Sequence, residues 1–348
     1  METHREDLAF SSTERPPGRR GLNLRGLFQL LVGIGALALL IYKADARALL
    51  KAINDTKLAY LPLAVIATVT VNWLMAYRWG LVLRVRGHRI KTLRLFVYYL
   101  IGIFFMNFVP GGGISGDVAR FIYVDREVRD KAFVLSTLVY ERMVGLFTLL
   151  LIGFCATVAA RSHLPESRVF YVGEAVLAVA FLASTMLMSN YLSSRLARIV
   201  RSIGKRTKLE KLGETASKAL EAVSELRQYR AMLLQTVVLS VVIRIVWGLG
   251  WFVVAKAMGL PLSLPIVITF ASLVDLIRML PISVGGIGVR EWAILVLFAD
   301  AGIGRDQALM FSFLVFSPIL LNAIVGGFLY ISRAGVLRTR SETPELRG

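Results

Sequence analysis

The chain has 348 residues, 56% of them hydrophobic, with 41 Lys and Arg against 23 Asp and Glu and a formal net charge of +18. Apolar runs of about twenty residues recur along it, the length a bilayer core requires, so a soluble enzyme is excluded and a polytopic all-α membrane protein is expected. The positive charge lies between the apolar runs and carries no aromatic-basic recognition motif; this excludes nucleic acid and fits loops touching anionic inner-leaflet lipid.

From the N-terminus, residues 1–23 are polar, contain Pro16-Pro17 and lack the pattern of a signal peptide; they read as a disordered cytoplasmic tail. A membrane domain follows over 24–333, with full spans expected near 24–42, 58–83, 132–160, 169–189, 231–257 and 308–331. Arg78, beside Trp73 and Trp79 near a span end, reads as an interfacial anchor. The single cysteine, Cys155, lies in an apolar run, so an intramolecular disulfide is impossible and a packed small hydrophobe is expected. Within the basic segment 190–230, Leu192, Leu196, Ile199 and Ile203 recur at helical spacing between arginines. That suits an amphipathic helix on the inner leaflet or a contact with a partner helix. Residues 334–348 read as a second cytoplasmic tail.

Two apolar stretches are interrupted in a related way. One runs over 95–109 into Pro110-Gly111-Gly112-Gly113-Ile114-Ser115-Gly116-Asp117-Val118-Ala119-Arg120 and continues as a helix to about residue 129. The other runs over 264–280 into Pro281-Ile282-Ser283-Val284-Gly285-Gly286-Ile287-Gly288-Val289-Arg290-Glu291 and continues to about residue 298. Each is expected to form a re-entrant hairpin or two short spans. Non-helical backbone at membrane depth needs protein or a watery cavity around it, so both motifs belong inside the bundle.

Basic residues orient this arrangement. Arg15, Arg19, Arg20 and Arg25, then Arg84 to Arg94, the cluster from Arg195 to Lys211, and Arg333, Arg338 and Arg340 all fall on one side if each interrupted segment enters and returns. Both termini are then cytoplasmic in a multi-pass protein of the cell (inner) membrane, with residues 43–57 a mild exception. The first hairpin enters from the cytoplasm and the second from outside, an inverted repeat of the kind that places a substrate site at the bilayer midplane.

The glycines of the two motifs permit close approach of backbone to ligand or to a neighbouring helix, or serve as plain turns. Amides at the helix starts near Asp117 and Gly288 offer an anion site, although Asp117 could equally be an N-terminal cap. Ionisable groups in apolar surroundings are costly unless paired or hydrated; Asp117, Arg120, Glu141, Arg142, Arg244, Asp275, Arg278, Arg290 and Glu291 are of this kind. Arginine forks could hold a lipid phosphate, and the carboxylates could neutralise them, face a cationic head group or relay protons. The expected substrate site therefore draws Gly112, Gly113, Gly116, Asp117 and Arg120 from the first motif and Glu141 and Arg142 from the span after it. From the second it draws Asp275, Arg278, Gly285, Gly286, Gly288, Arg290 and Glu291.

There is no phosphate-binding loop of the Walker type, no metal-ligand cluster among His4, His88 and His163, and no Gly-x-Ser-x-Gly elbow. No catalytic residue, cofactor or metal is expected.

At Asn72-Trp73 with Arg78-Trp79, at Pro110 to Arg120, at Glu141-Arg142-x-x-Gly145 and at Pro281 to Glu291, the chain resembles the lysylphosphatidylglycerol synthase transmembrane-region family, also called flippase-like domain proteins. The resemblance covers roughly residues 24–332. It implies an integral membrane domain that, in larger members, accompanies an aminoacyl-phospholipid synthase and moves the modified lipid between leaflets. This chain has no aminoacyltransferase domain after residue 333, so synthesis of that lipid is not expected of it. The leading expectation is a carrier, not an enzyme, that binds and translocates a phospholipid or lipid-linked head group. A membrane-embedded enzyme or accessory subunit on a lipid-linked substrate, with a separate lipid-modifying enzyme as candidate partner, is one alternative. A proton-coupled exporter of a small solute is another.

Overall fold

The computed structural model describes residues 56–109, 113–161, 168–187, 226, 228–279, 286 and 288–341. Among these residues the chain forms nine α-helices and no strand. They are α1 (Leu61–Arg84), α2 (Thr92–Phe108), α3 (Gly113–Val128), α4 (Lys131–Ala160), α5 (Arg168–Leu187), α6 (Arg230–Ala257), α7 (Leu264–Arg278), α8 (Val289–Asp300) and α9 (Arg305–Ser341). The expected span over 24–42, both distal tails up to residue 23 and beyond 341, and nearly all of the basic amphipathic segment lie outside the described residues.

Local chemistry sets the helix ends. Pro62 and Pro265 occupy the first turns of α1 and α7, where a missing N–H costs nothing. The Asp130 carboxylate accepts the Phe133 N–H at 3.0 Å and caps α4. Gly259 follows α6 in the left-handed region with φ +65°, which glycine adopts without strain. Inside α9, Pro318 cannot donate to the Leu314 carbonyl; the Ser317 hydroxyl donates to it at 2.9 Å instead.

Among the described residues, four helices are long and apolar enough to cross a bilayer: α1 with the 3-10 turn before it, α4, α6 and α9. By contrast α2, α3, α7 and α8 have 17, 16, 15 and 12 residues, short of the roughly 20 a crossing needs. They fold as two hairpins. In the first, α3 returns along α2: Gly116 packs on the Gly102 carbonyl and the Ser115 hydroxyl donates to the Phe105 carbonyl at 2.9 Å. In the second, Phe298 near the end of α8 lies 5.8 Å from Phe270 near the start of α7.

The hairpins enter from opposite ends of the bundle. The open end of α2–α3 shares an apolar cluster with the C-terminal end of α1 and the N-terminal ends of α4 and α6, through Leu83, Ile90, Val128, Phe133 and Met232. Ion pairs of Arg86 with Asp130 and Arg94 with Glu127 close this end. The open end of α7–α8 joins the other end, where Ala160, Leu260, Leu262, Ile303 and Ala308 cluster and the Lys57 N–H donates to the Ala257 carbonyl at 2.8 Å. Both hairpin tips therefore point toward the middle of the bundle.

Helix faces that touch no neighbour are apolar, as lipid contact requires: Leu63, Ile66 and Val69 on α1, Leu234 and Val238 on α6, Ile324 and Phe328 on α9. Cys155 is on such an exposed face of α4, not packed in the core as its apolar run had suggested. The tightest helix contact is between α2 and α9, where a Cβ on Gly326 would come within 1.9 Å of the Leu100 carbonyl oxygen. Gly326→Ala should therefore cost about 2 kcal/mol or more by forcing backbone apart. Gly145→Ala, on α4 with no atom within 4 Å of the new methyl, should leave stability unchanged or slightly higher. Thermal unfolding of the detergent-solubilised variants checks both.

Candidate functional site

The middles of α1, α4, α6 and α9 and the tips of both hairpins enclose a cavity of about 560 Å³. Its depth follows from its lining: Arg78 on α1, Glu141 on α4, Arg244 on α6 and Asn322 on α9 all lie away from the helix ends.

Glu141 is the hub. It is 5% exposed, and both carboxylate oxygens are occupied: Oε1 accepts from Arg78 Nε at 3.2 Å and Nη2 at 3.1 Å, and Oε2 accepts from Tyr99 at 2.5 Å and Arg120 Nη1 at 3.3 Å. Arg78, also 5% exposed, donates its remaining Nη1 to the Ser240 hydroxyl at 2.6 Å, which joins α1 to α6. The Arg120 guanidinium lies over the Tyr99 ring at 4.3 Å, an arrangement that suits a weakly hydrated planar cation. One carboxylate thus gathers α1, α2, α3 and α4. An unpaired charge here would carry a large desolvation cost, which this mutual saturation offsets.

Two further groups rim the cavity. Asp117, at the first hairpin tip, pairs with Arg120 and accepts from Arg142 Nε at 2.8 Å, while Arg142 Nη2 donates to the Gly113 carbonyl at 3.1 Å. Asp117 therefore binds side chains and is not a helix cap. On the second hairpin, Asp275 accepts from Arg244 Nη1 at 3.0 Å and lies 3.7 Å from Arg278 Nη1; Arg244 Nη2 also donates to the Gly145 carbonyl at 3.3 Å. Gly286, with φ +77°, lets Arg278 pass so closely that a Cβ would meet its Nε at 2.8 Å.

Most of the expected residues converge: Gly113, Gly116, Asp117, Arg120, Glu141, Arg142, Asp275, Arg278 and Gly286 all line the cavity. Arg290 and Glu291 lie elsewhere, between α8 and α9. Arg290 is 2% exposed, pairs with Glu291, donates to Ser312 at 3.2 Å and stacks 3.9 Å from the Phe316 ring. The Gly288 amide at the α8 start, with φ +82°, is occupied by Glu291 Oε2 at 2.7 Å and so offers nothing to an anion. Gly112 and Gly285 lie outside the described residues.

Arg78 corrects the sequence expectation of an interfacial anchor: it is buried mid-bundle and ion-paired. Its signal was a charge one turn inside the end of an apolar run, which composition alone does not separate from snorkelling. Tyr99 and Ser240 completed the network unseen because a hydroxyl in an apolar run carries no charge signal. Asn72 and Trp247 also line the cavity, and Asn72 Nδ2 and Trp247 Nε1 are buried without a hydrogen-bond partner among the described residues. No group of three or more His, Cys, Asp or Glu able to hold a metal occurs among the described residues.

Fold and site together define a polytopic helical membrane protein in which two oppositely inserted hairpins border one charged cavity. The chain belongs to the lysylphosphatidylglycerol synthase TM region family, whose profile matches residues 26–326. It is similar to two proteins described as UPF0104 membrane proteins. One, from Methanocaldococcus jannaschii, is 24% identical over 166 residues, 46% of this chain and 47% of that protein, so the match spans about half of that relative. The other, from Methanothermobacter thermautotrophicus, is 20% identical over 295 residues, 80% of this chain and 86% of that protein. No solved structure matches the chain.

Glu141→Gln should destabilise the fold by about 3–5 kcal/mol, because Arg78 and Arg120 lose a shared buried counter-charge. The double variant Arg78→Met with Glu141→Leu should recover part of that loss. A double-mutant cycle on thermal unfolding measures the coupling; additive effects would show that the pair is not energetically linked.

Proposed function

We propose that this protein binds the head group of a phospholipid or lipid-linked molecule in the central cavity and carries it between leaflets. The observation behind this reading is a charged cavity at mid-depth whose lining reaches the exterior at Ile114, 66% exposed, and Met279, 42% exposed. Polar groups inside and apolar side chains at the rim match a molecule whose head enters the protein while its acyl chains stay in hydrocarbon. The two tips reach the site from opposite ends, so displacement of one hairpin would open it toward one leaflet and displacement of the other toward the second.

The roles follow from the side chains. Arg120, Arg142, Arg244 and Arg278 present planar forks suited to phosphate oxygens, and the glycines at 113, 116 and 286 allow close backbone approach. Every described carboxylate in the cavity is already engaged by arginine, which leaves none poised as a general base and supports a carrier over an enzyme. Orientation follows from the basic residues at the α2–α3 end: Arg84, Arg86, Arg89, Lys91 and Arg94 would face the cytoplasm of the cell, and α9 ends on that same side.

Leaflet exchange of head-group-labelled phospholipids in liposomes carrying the purified protein tests this reading. Wild type should accelerate exchange, and Arg120→Ala and Arg244→Ala, verified as folded, should lower the rate by about tenfold or more, the loss of one charge-assisted contact. Arg120→Lys should resemble Arg120→Ala, because the fork and not the charge alone makes the contact. Absence of exchange for any lipid, with or without a proton gradient, would overturn the carrier reading in favour of an accessory subunit of a lipid-modifying enzyme.

A further inference from the structure

The charge of the cavity narrows the head group. Among the described residues, five guanidinium groups line it, those of Arg78, Arg120, Arg142, Arg244 and Arg278, against three carboxylates, Asp117, Glu141 and Asp275. This described lining carries a surplus of two positive charges.

Hydrogen-bonding capacity points the same way. Both oxygens of Glu141, of Asp117 and of Asp275 are within ion-pair or hydrogen-bond reach of an arginine. An ammonium group on a ligand would have to displace one of those arginines to find a counter-charge. Two lining residues also carry buried donors without a partner among the described residues, Asn72 Nδ2 and Trp247 Nε1, a kind of group that no ammonium can use and phosphate oxygens can. A low-dielectric site with surplus donors and two surplus cations favours an acceptor-only ligand carrying two negative charges.

We infer that the cavity selects a phosphoryl group of charge near −2 with no attached cation, the chemistry of a phosphomonoester or diphosphate head, over a phosphodiester of charge −1 or an aminoacylated head group. This rests on the lipid-carrier reading only for the source of the phosphoryl group; the charge assignment is a property of the cavity.

The test uses the full chain in nanodiscs of phosphatidylcholine, with intrinsic tryptophan fluorescence followed during titration. The probes are dihexanoyl phosphatidic acid, dihexanoyl phosphatidylglycerol, dihexanoyl lysyl-phosphatidylglycerol and glycerol 3-phosphate at fixed ionic strength. The monoester lipid should bind at least about tenfold more tightly than the diester, with the lysyl lipid weakest. Equal or tighter binding of the diester or the lysyl lipid overturns the inference. Glycerol 3-phosphate binding as tightly as the monoester lipid supports the dianion and assigns it a soluble source. Two variants of opposite sign guard against misfolding as an explanation. Asp275→Asn raises the surplus to three and should widen the monoester-to-diester ratio; Arg244→Gln lowers it to one and should narrow it. An unchanged ratio in both folded variants overturns the inference. Monoester-selective binding without leaflet exchange would retain this assignment and reject translocation, and exchange of diesters without monoester preference would do the reverse.

Discussion

The fold turns on the cost of keeping charge away from water. The Glu141 carboxylate is buried in the middle of the bundle, and Arg78, Arg120 and Tyr99 surround it and offset the cost of its desolvation. Glu141 in turn satisfies part of their hydrogen-bonding capacity, with Ser240 and Asp117 supplying more for the two arginines. Between apolar helices in lipid there is little hydrophobic drive to associate, since the tails are as apolar as the side chains. Close backbone contact at Gly102–Gly116 and Gly326–Leu100, together with the polar network, is what gives these helices a preferred arrangement. The cavity is thus built from the same bonds that hold the bundle together, and a ligand that enters it must compete with them.

Inverted insertion of the two hairpins gives the site its depth. No helix of either hairpin is long enough to cross, so each hairpin ends inside, and both ends border the same cavity. The two are not equivalent in chemistry. Arg120 lies four residues after Gly116, about one helical turn, and reaches the cavity beneath that glycine. Arg290 lies two residues after Gly288, which turns it roughly 200° about the helix axis and into α9. Similar motifs therefore do different things: one supplies a charged wall, the other fastens α8 to its neighbour.

Much of this architecture was legible in the sequence, for a physical reason. A bilayer demands apolar runs of fixed length, so α1, α4 and α6 begin and end close to where the runs do, while α9 starts near its run and continues past its end to Ser341. Which face of a helix looks inward was not legible. Lipid and protein interior are both apolar, so periodicity fades, and Cys155 read as core although it faces outward. Nor were lateral partners legible: Arg78 and Glu141 are 63 residues apart, and nothing local to Arg78 announces its carboxylate. Much of the lining of the cavity could be named from its glycines and charges, whereas its wiring required three dimensions.

That separation along the chain also bears on how the protein is made. Ribosomes add about 5–20 residues per second, so Glu141 emerges about 3–12 seconds after Arg78. During that interval α1 carries an arginine without its carboxylate inside its apolar length, at a cost below the roughly 2.5–3.5 kcal/mol of a helix centre in lipid because Arg78 lies six residues from the helix end. The Ser240 contact arrives later still, after 162 residues. Membrane insertion of α1 is therefore completed by helices not yet translated when it first meets the bilayer, and the order of synthesis leaves the first half of the molecule waiting for the second.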